Sequence, residues 1–158
     1  MDAIQLDEID ALRKFNRAYT SYLGLLRQNY LRSGFSLAEV RVLHEIAAAP
    51  GCAASDVMAV TGLDRGYLSR ILTRLCRESL VEKIAARSDA RIKRLSLTAK
   101  GRTILDDLTE KARAQAKRTL EALSARKRAK LIAAMTTIMN ILPDSRLAAQ
   151  ENSSANEP

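Results

Sequence analysis

Apolar residues recur at helical spacing over residues 8–31: Ile9, Leu12, Phe15, Tyr19, Tyr22, Leu23 and Leu26. Gly34 breaks this run. Ser36-Leu37-Ala38-Glu39 is a capping-box pattern and opens a second helix with Val40, Leu43 and Ile46 inward. Pro50-Gly51 ends that helix. A short helix is predicted over Ala54 to Thr61, with Val57, Met58 and Val60. Gly62 suits the left-handed position after it, and Asp64 stands where an N-cap is wanted. The next helix is predicted from Arg65 to Ser79. Leu68, Ile71, Leu72 and Leu75 form one stripe; Gly66, Arg70, Thr73, Arg74 and Arg77 lie opposite.

Two helices joined by a tight glycine-containing turn, the second apolar inside and basic outside, form a helix-turn-helix pattern. The period then shortens. Leu80 to Ile84 and Lys93 to Leu97 read as short strands, with a polar tip over Ala85 to Ile92. Such a hairpin directly after the basic helix is a wing. Thr98-Ala99-Lys100-Gly101 caps a long helix to Leu123, with Ile104, Leu105, Leu108, Ala112, Ala116 and Leu120 inward. Ser124 caps a last helix ending near Leu142, presenting Leu131, Ile132, Met135, Ile138, Met139 and Leu142. The fold class is therefore mainly α with a small β-hairpin wing. Residues 36–98 read as a winged helix-turn-helix, residues 1–35 and 99–142 as a helical dimerisation region, and residues 143–158 as a disordered polar tail. The terminal helices carry broad apolar faces outside the small winged core. Burial in a homodimer answers this, and packing within a monomer is the alternative.

Charge sharpens the picture. The 158 residues hold 26 Lys and Arg against 18 Asp and Glu, a net +8, which points to an anionic partner. Residues 65–94 hold nine cations and three anions, net +6, so the excess is read as falling mainly on the helix and hairpin. The N-terminus lacks a basic region followed by an apolar stretch, so no signal peptide is expected and the protein is read as cytoplasmic. No apolar run is long enough to span a bilayer. One histidine, His44, and two scattered cysteines, Cys52 and Cys76, make a metal site improbable, and no cofactor is expected.

An α-helix fits the major groove of duplex DNA, where arginine pairs with guanine O6 and N7. Arg65, Arg70 and Arg74 are candidates for this, with Ser69 and Thr73 as hydroxyl contacts. The helix start at Asp64, Arg65 and Gly66 offers free N–H groups to a phosphate. In the wing, Arg87 or Arg91 would enter the minor groove; Ser88 and Lys93 complete the DNA-facing set, and Asp89 braces an arginine. The plainer reading of Arg70, Arg74 and Arg77 is a solvated helix face. Tyr67 either touches phosphate or packs inward. His44 reads as a packing residue. Cys76 reads as buried and Cys52, in a turn, as exposed.

The stretch Leu63-Asp64-Arg65-Gly66-Tyr67-Leu68-Ser69-Arg70-Ile71-Leu72-Thr73-Arg74-Leu75 resembles the MarR family of winged-helix regulators. Asp89-Ala90-Arg91 followed by Leu95-Ser96-Leu97-Thr98-Ala99-Lys100-Gly101 strengthens the resemblance, which covers roughly residues 5–142. Phe15-Asn16-Arg17 and Phe35 to Leu43 look like the regulatory half of MarR–acetyltransferase fusions. The 15 residues after Pro143 are too few for a transferase domain, so no such activity is expected. The resemblance implies six helices and a two-stranded wing, and dimerisation through the terminal helices. It implies a recognition helix from Arg65, with Arg91 in the minor groove held by Asp89. It also implies a repressor, bound to a palindromic operator and released by a small aromatic or phenolic ligand. Phe15, Tyr19, Tyr22, Arg41, His44 and Tyr67 could line the ligand's pocket; the alternative is that these aromatics fill the core.

Two other readings compete. One is a winged helix that coats DNA without regard to sequence or binds a protein partner; the other is a thiol-responsive regulator acting through Cys52 or Cys76. An enzyme is the weakest reading, because no catalytic triad, phosphate loop or metal cluster is visible.

Overall fold

The computed structural model describes residues 4–23, 30–85 and 93–142. The chain divides into two compact units, residues 1–38 and 39–158. Among the described residues there are six α-helices, one 3-10 turn and one two-stranded sheet, so the fold is mainly α with a small β-hairpin.

In the first unit, α1 spans Leu6–Leu23 among the described residues. Leu26 lies outside the described residues. Leu6, Ile9, Leu12, Phe15, Tyr19 and Tyr22 are exposed, so α1 leaves its apolar stripe uncovered in a single chain. Phe15 and Tyr19 stack at 5.5 Å, and Tyr19 and Tyr22 at 6.3 Å, as spacings of four and three residues on a helix allow. A 3-10 turn follows at Tyr30–Arg32.

The helix α2 (Leu37–Ala48), which belongs to the second unit from Glu39 on, buries Val40, Val42, Leu43 and Ile46. Glu39 is buried with them, at 6% exposure. The next helix, α3 (Ala54–Thr61), is bounded as the sequence predicts. Gly62 takes φ 68 and its N–H donates to the Met58 carbonyl, a closing geometry glycine adopts at no steric cost. Asp64 then caps α4 (Arg65–Arg77): its Oδ1 accepts from the Tyr67 N–H at 2.8 Å. Leu68, Ile71, Leu72 and Leu75 of α4 are all buried, each worth about 1.5–3 kcal/mol of transfer free energy.

The end of α4 comes two residues before the predicted Ser79. The Ser79 N–H donates to the Cys76 carbonyl and the Leu80 N–H to the Leu75 carbonyl, which is a Schellman closure. Ser79, at φ 58, occupies the left-handed position that glycine usually fills. The chain leaves this closure as β1 (Val81–Ala85), paired antiparallel with β2 (Lys93–Leu97) in the register Val81 with Leu97 and Ala85 with Lys93. The turn between α2 and α3 joins the sheet. Gly51 N–H donates to the Leu95 carbonyl, and Leu95 N–H to the Cys52 carbonyl, each at 2.8 Å.

Thr98 caps α5 (Ala99–Glu121), and Ser124 caps α6 (Ala125–Ile141). The start of α5 is stitched to the end of α4. Thr98 Oγ1 donates to the Ser79 carbonyl at 2.7 Å, and Lys100 Nζ to the Glu78 carbonyl at 2.8 Å. Gly101 is buried so closely that an added Cβ would sit 2.0 Å from the Leu80 carbonyl oxygen. Of the predicted inward positions on α5, Leu105 and Leu108 are buried, Ile104, Ala112 and Leu120 are half-buried, and Ala116 is exposed. No residue of α6 is buried. Apolar periodicity marks a face, but the face is covered only where a second element lies against it. The predicted tail over residues 143–158 lies outside the described residues. Among the described residues, no helix is long and apolar enough to cross a membrane.

Candidate nucleic-acid interface

The apolar stripe of α4 fixes which side chains look outward. Arg65, Gly66, Ser69, Arg70, Thr73 and Arg77 are exposed on the side away from the four buried residues. Tyr67, at the flank, is half-buried, and the Arg70 guanidinium lies 5.6 Å from the centre of its ring. That contact orients Arg70 while leaving its charge intact. Thr73 Oγ1 donates to the Ser69 carbonyl at 2.8 Å, which leaves its hydroxyl oxygen able to accept. The predicted face therefore exists as one surface, carried by a rigid helix with a capped start.

Arg74 differs from the other predicted contacts. Its Nη1 donates to Glu39 Oε1 at 2.7 Å and its Nε to Glu78 Oε1 at 2.9 Å. The hydrogen bond it donates to Glu78 is the main reason the guanidinium is held charged more firmly than an ordinary arginine. Glu39, read from the sequence as a capping residue, thus carries an ion pair between α2 and α4. A separation of 35 residues gives no local pattern from which to find that pair.

In the wing, Lys93 is exposed at the start of β2. Arg94 Nη1 donates to the Gly51 carbonyl at 3.1 Å, tying the hairpin to the turn before α3. Arg87, Ser88, Asp89 and Arg91 lie outside the described residues.

A cleft of about 430 Å³ opens beside α4. Met58, Leu68 and Leu72 line it together with Ser55, Ser69, Arg65 and Lys83. Ser55 and Lys83 were not singled out from the sequence. Lys83 reads from the sequence as one cation of the first strand, and nothing in the pattern places a strand residue beside the start of α3.

The other sequence candidates fall in both units. Phe15, Tyr19 and Tyr22 form the stacked row on α1. Arg41 is exposed on α2 and pairs with Glu45 at 2.8 Å. His44 is exposed, not packed, because the inward side of α2 is filled by Val40, Val42, Leu43 and Ile46. Neither cysteine expectation holds. Cys52 is buried beneath the bridge to Leu95, and Cys76 is half-exposed on the flank of α4. Burial, then the neighbouring Asp56 carboxylate, pushes the Cys52 thiol above its ordinary pKa.

The charge excess is also less concentrated on the helix and hairpin than their own net +6 suggests. Residues 111–130, around the end of α5 and the start of α6, hold eight cations and one anion, net +7. Acidic segments elsewhere bring the total back to +8.

Residues 33–92 match the MarR family. The chain is 33% identical over 79 residues to PetP, an HTH-type transcriptional regulator of Rhodobacter capsulatus. That likeness covers 50% of this chain and 48% of PetP, so the chain spans about half the length of this relative. Among solved structures, Streptococcus pneumoniae FabT in complex with DNA superposes with a TM-score of 0.67 at 21% identity, over 83% of this chain and 94% of that one. Streptomyces coelicolor PcaV in complex with its natural ligand superposes with a TM-score of 0.60 at 22% identity, over 89% of this chain and 99% of that one. These two likenesses speak to fold. In fold the chain is a winged-helix protein across most of its length, and residues 33–92, which hold its helix-turn-helix, are similar in sequence to the MarR family.

Proposed function

We propose that this protein regulates transcription as a homodimer that binds duplex DNA, and that it represses until a small aromatic ligand releases it. The observation that carries the DNA reading is the outward face of α4. Arg65, Ser69, Arg70 and Thr73 stand on one side of a helix whose other side is locked by four buried residues. A helix of this kind fits the major groove, and its arginines can make paired hydrogen bonds to guanine. Asp64 and Gly66 shape its start for a neighbouring phosphate. The FabT structure, of the same fold, is a complex with DNA.

In this reading the hairpin tip, with Arg87, Ser88, Asp89 and Arg91, follows the backbone, and Arg91 enters the minor groove. Lys93, exposed on β2, adds a phosphate contact. The dimer is supported by the exposed apolar residues of α1 and by α6, on which Ile132, Met139 and Ile141 stay exposed in a single chain. A twofold dimer reads a palindromic operator, its half-sites about 34–36 Å apart. An aromatic effector is supported by the stacked Phe15, Tyr19 and Tyr22, and by the likeness to PcaV, solved with its natural ligand. Arg41, His44 and Tyr67 remain candidates for contacting it.

One observation favours a second reading, a sequence-indifferent DNA coater: the net +7 of residues 111–130. Burial of Cys52 counts against thiol sensing at that residue. Fluorescence anisotropy of the purified protein with the DNA upstream of its own gene separates the first two readings. Excess nonspecific competitor and two salt concentrations are included. Binding that survives the competitor is expected. Binding that vanishes with competitor or modest salt leaves only the electrostatic component and favours the coater.

A further inference from the structure

Arg74 sits on the same helix as the proposed DNA-reading side chains, one turn beyond Arg70, yet it is held by two carboxylates of its own chain. The Glu39 side chain is buried, and an ionised group so placed needs a partner. Arg74 supplies that partner across a gap of 35 residues in sequence, joining α2 to the last turn of α4. Glu78, on the far side, accepts a hydrogen bond from the Arg74 Nε–H and fixes the guanidinium plane. No other ion pair among the described residues joins two helices: each of the remaining pairs is three or four residues apart on one helix.

We propose that Glu39 and Arg74 are positioning residues for DNA reading: the buried carboxylate withdraws the Arg74 cation from the recognition face and sets how α4 presents Arg70, Ser69 and Thr73. The inference rests on the DNA-binding reading of α4. Side chains that read bases must be placed closely, whereas a phosphate contact tolerates displacement. Loss of the pair therefore lowers discrimination between sequences and leaves the number of phosphate contacts unchanged.

The test compares wild type, Arg74→Met, Glu39→Gln and the double variant. Each is titrated with two duplexes, one selected by the wild-type protein from a random pool and one of random sequence, at several salt concentrations. Arg74→Met keeps the length and apolar stem of the side chain; Glu39→Gln keeps its shape. Each single variant is expected to lose about tenfold in discrimination, the scale of one paired base contact. The double variant is expected to lose no more than Arg74→Met alone, because both residues serve one contact. The salt slope of Arg74→Met is expected to equal that of wild type.

A slope shallower by about 0.9 in Arg74→Met would make Arg74 a phosphate contact and overturn the proposal. Unchanged discrimination in Glu39→Gln would also overturn it. Additive losses in the double variant would do the same. These failures are seen in variants while the wild type binds. Failure of the wild type on every duplex would overturn the DNA reading itself, and this inference with it.

Discussion

Two regions of this protein carry nearly the same net charge, and they are built in opposite ways. The stretch from α4 through the wing, residues 65–94, has +6; the elbow of α5 and α6, residues 111–130, has +7. On α4 the cations project from a helix whose opposite side is fully buried. Arg65, Arg70, Arg77, Lys83 and Lys93 have no carboxylate within ion-pair distance among the described residues; Arg74 has two. On the elbow, Lys111, Arg113 and Lys117 pair with acids one turn away on the same helix. Arg128 spends its Nη1 on the Leu120 and Leu123 carbonyls, the negative end of α5. No residue of α6 is buried beneath these charges. A charge count therefore finds anionic partners poorly. Presentation from a helix whose opposite side is buried, rather than the number or pairing of cations, is what distinguishes the surface proposed to read DNA from the elbow.

The largest expected effect lies where the two regions are joined. Gly101→Ala drives a Cβ to 2.0 Å from the Leu80 carbonyl oxygen, and neither backbone can yield without loosening the end of α4. A loss of about 3 kcal/mol is expected, read as a fall of roughly 6–12 °C in the thermal midpoint. A midpoint within about 2 °C of wild type would mean that α5 is not stitched to α4 as described. Next comes the contrast itself. Arg70→Ala should weaken binding to a specific duplex by about 1–3 kcal/mol, and Arg91→Ala similarly. Replacing Arg126, Lys127 and Lys130 together by Gln should change that binding by less than about 0.5 kcal/mol. If the elbow variant loses as much as Arg70→Ala in the same anisotropy titration, the distinction between the regions fails and the coater reading gains.

The parts of this molecule visible in sequence are those set by local chemistry. The bounds of α3, Gly62 in its left-handed turn, Asp64 as the cap of α4 and the buried stripe from Leu68 to Leu75 all follow from spacing within one turn or two. The outward face of α4 follows from the same periodicity. What escaped depended on distant partners. Arg74 reads as one more outward arginine until Glu39 is brought beside it. Cys52 reads as a turn residue until β2 covers it, and Lys83 reads as a strand charge until Ser55 joins it at the cleft. His44 misled differently. It stands among apolar neighbours in sequence, but the three- and four-residue spacing of α2 turns it outward.

The smallest expected effect bears on why the elbow is basic at all. The first turn of α6 contains Arg126, Lys127 and Arg128 and no acid, so three cations crowd the positive end of a helix. Ser124 already caps this end, its Oγ accepting from the Lys127 N–H at 3.4 Å. Lys127→Glu would complete a capping box from Ser124 to position 127 and remove one unfavourable charge. A gain of about 0.5–1 kcal/mol is expected in chemical denaturation at low salt, shrinking as salt is raised. Specific DNA binding should stay unchanged. That combination would mean the elbow gives up local stability to keep its charge for something other than a duplex bound at α4. A loss of stability instead would show that Lys127 already has a compensating anionic neighbour, and that the elbow is basic for the sake of its own packing.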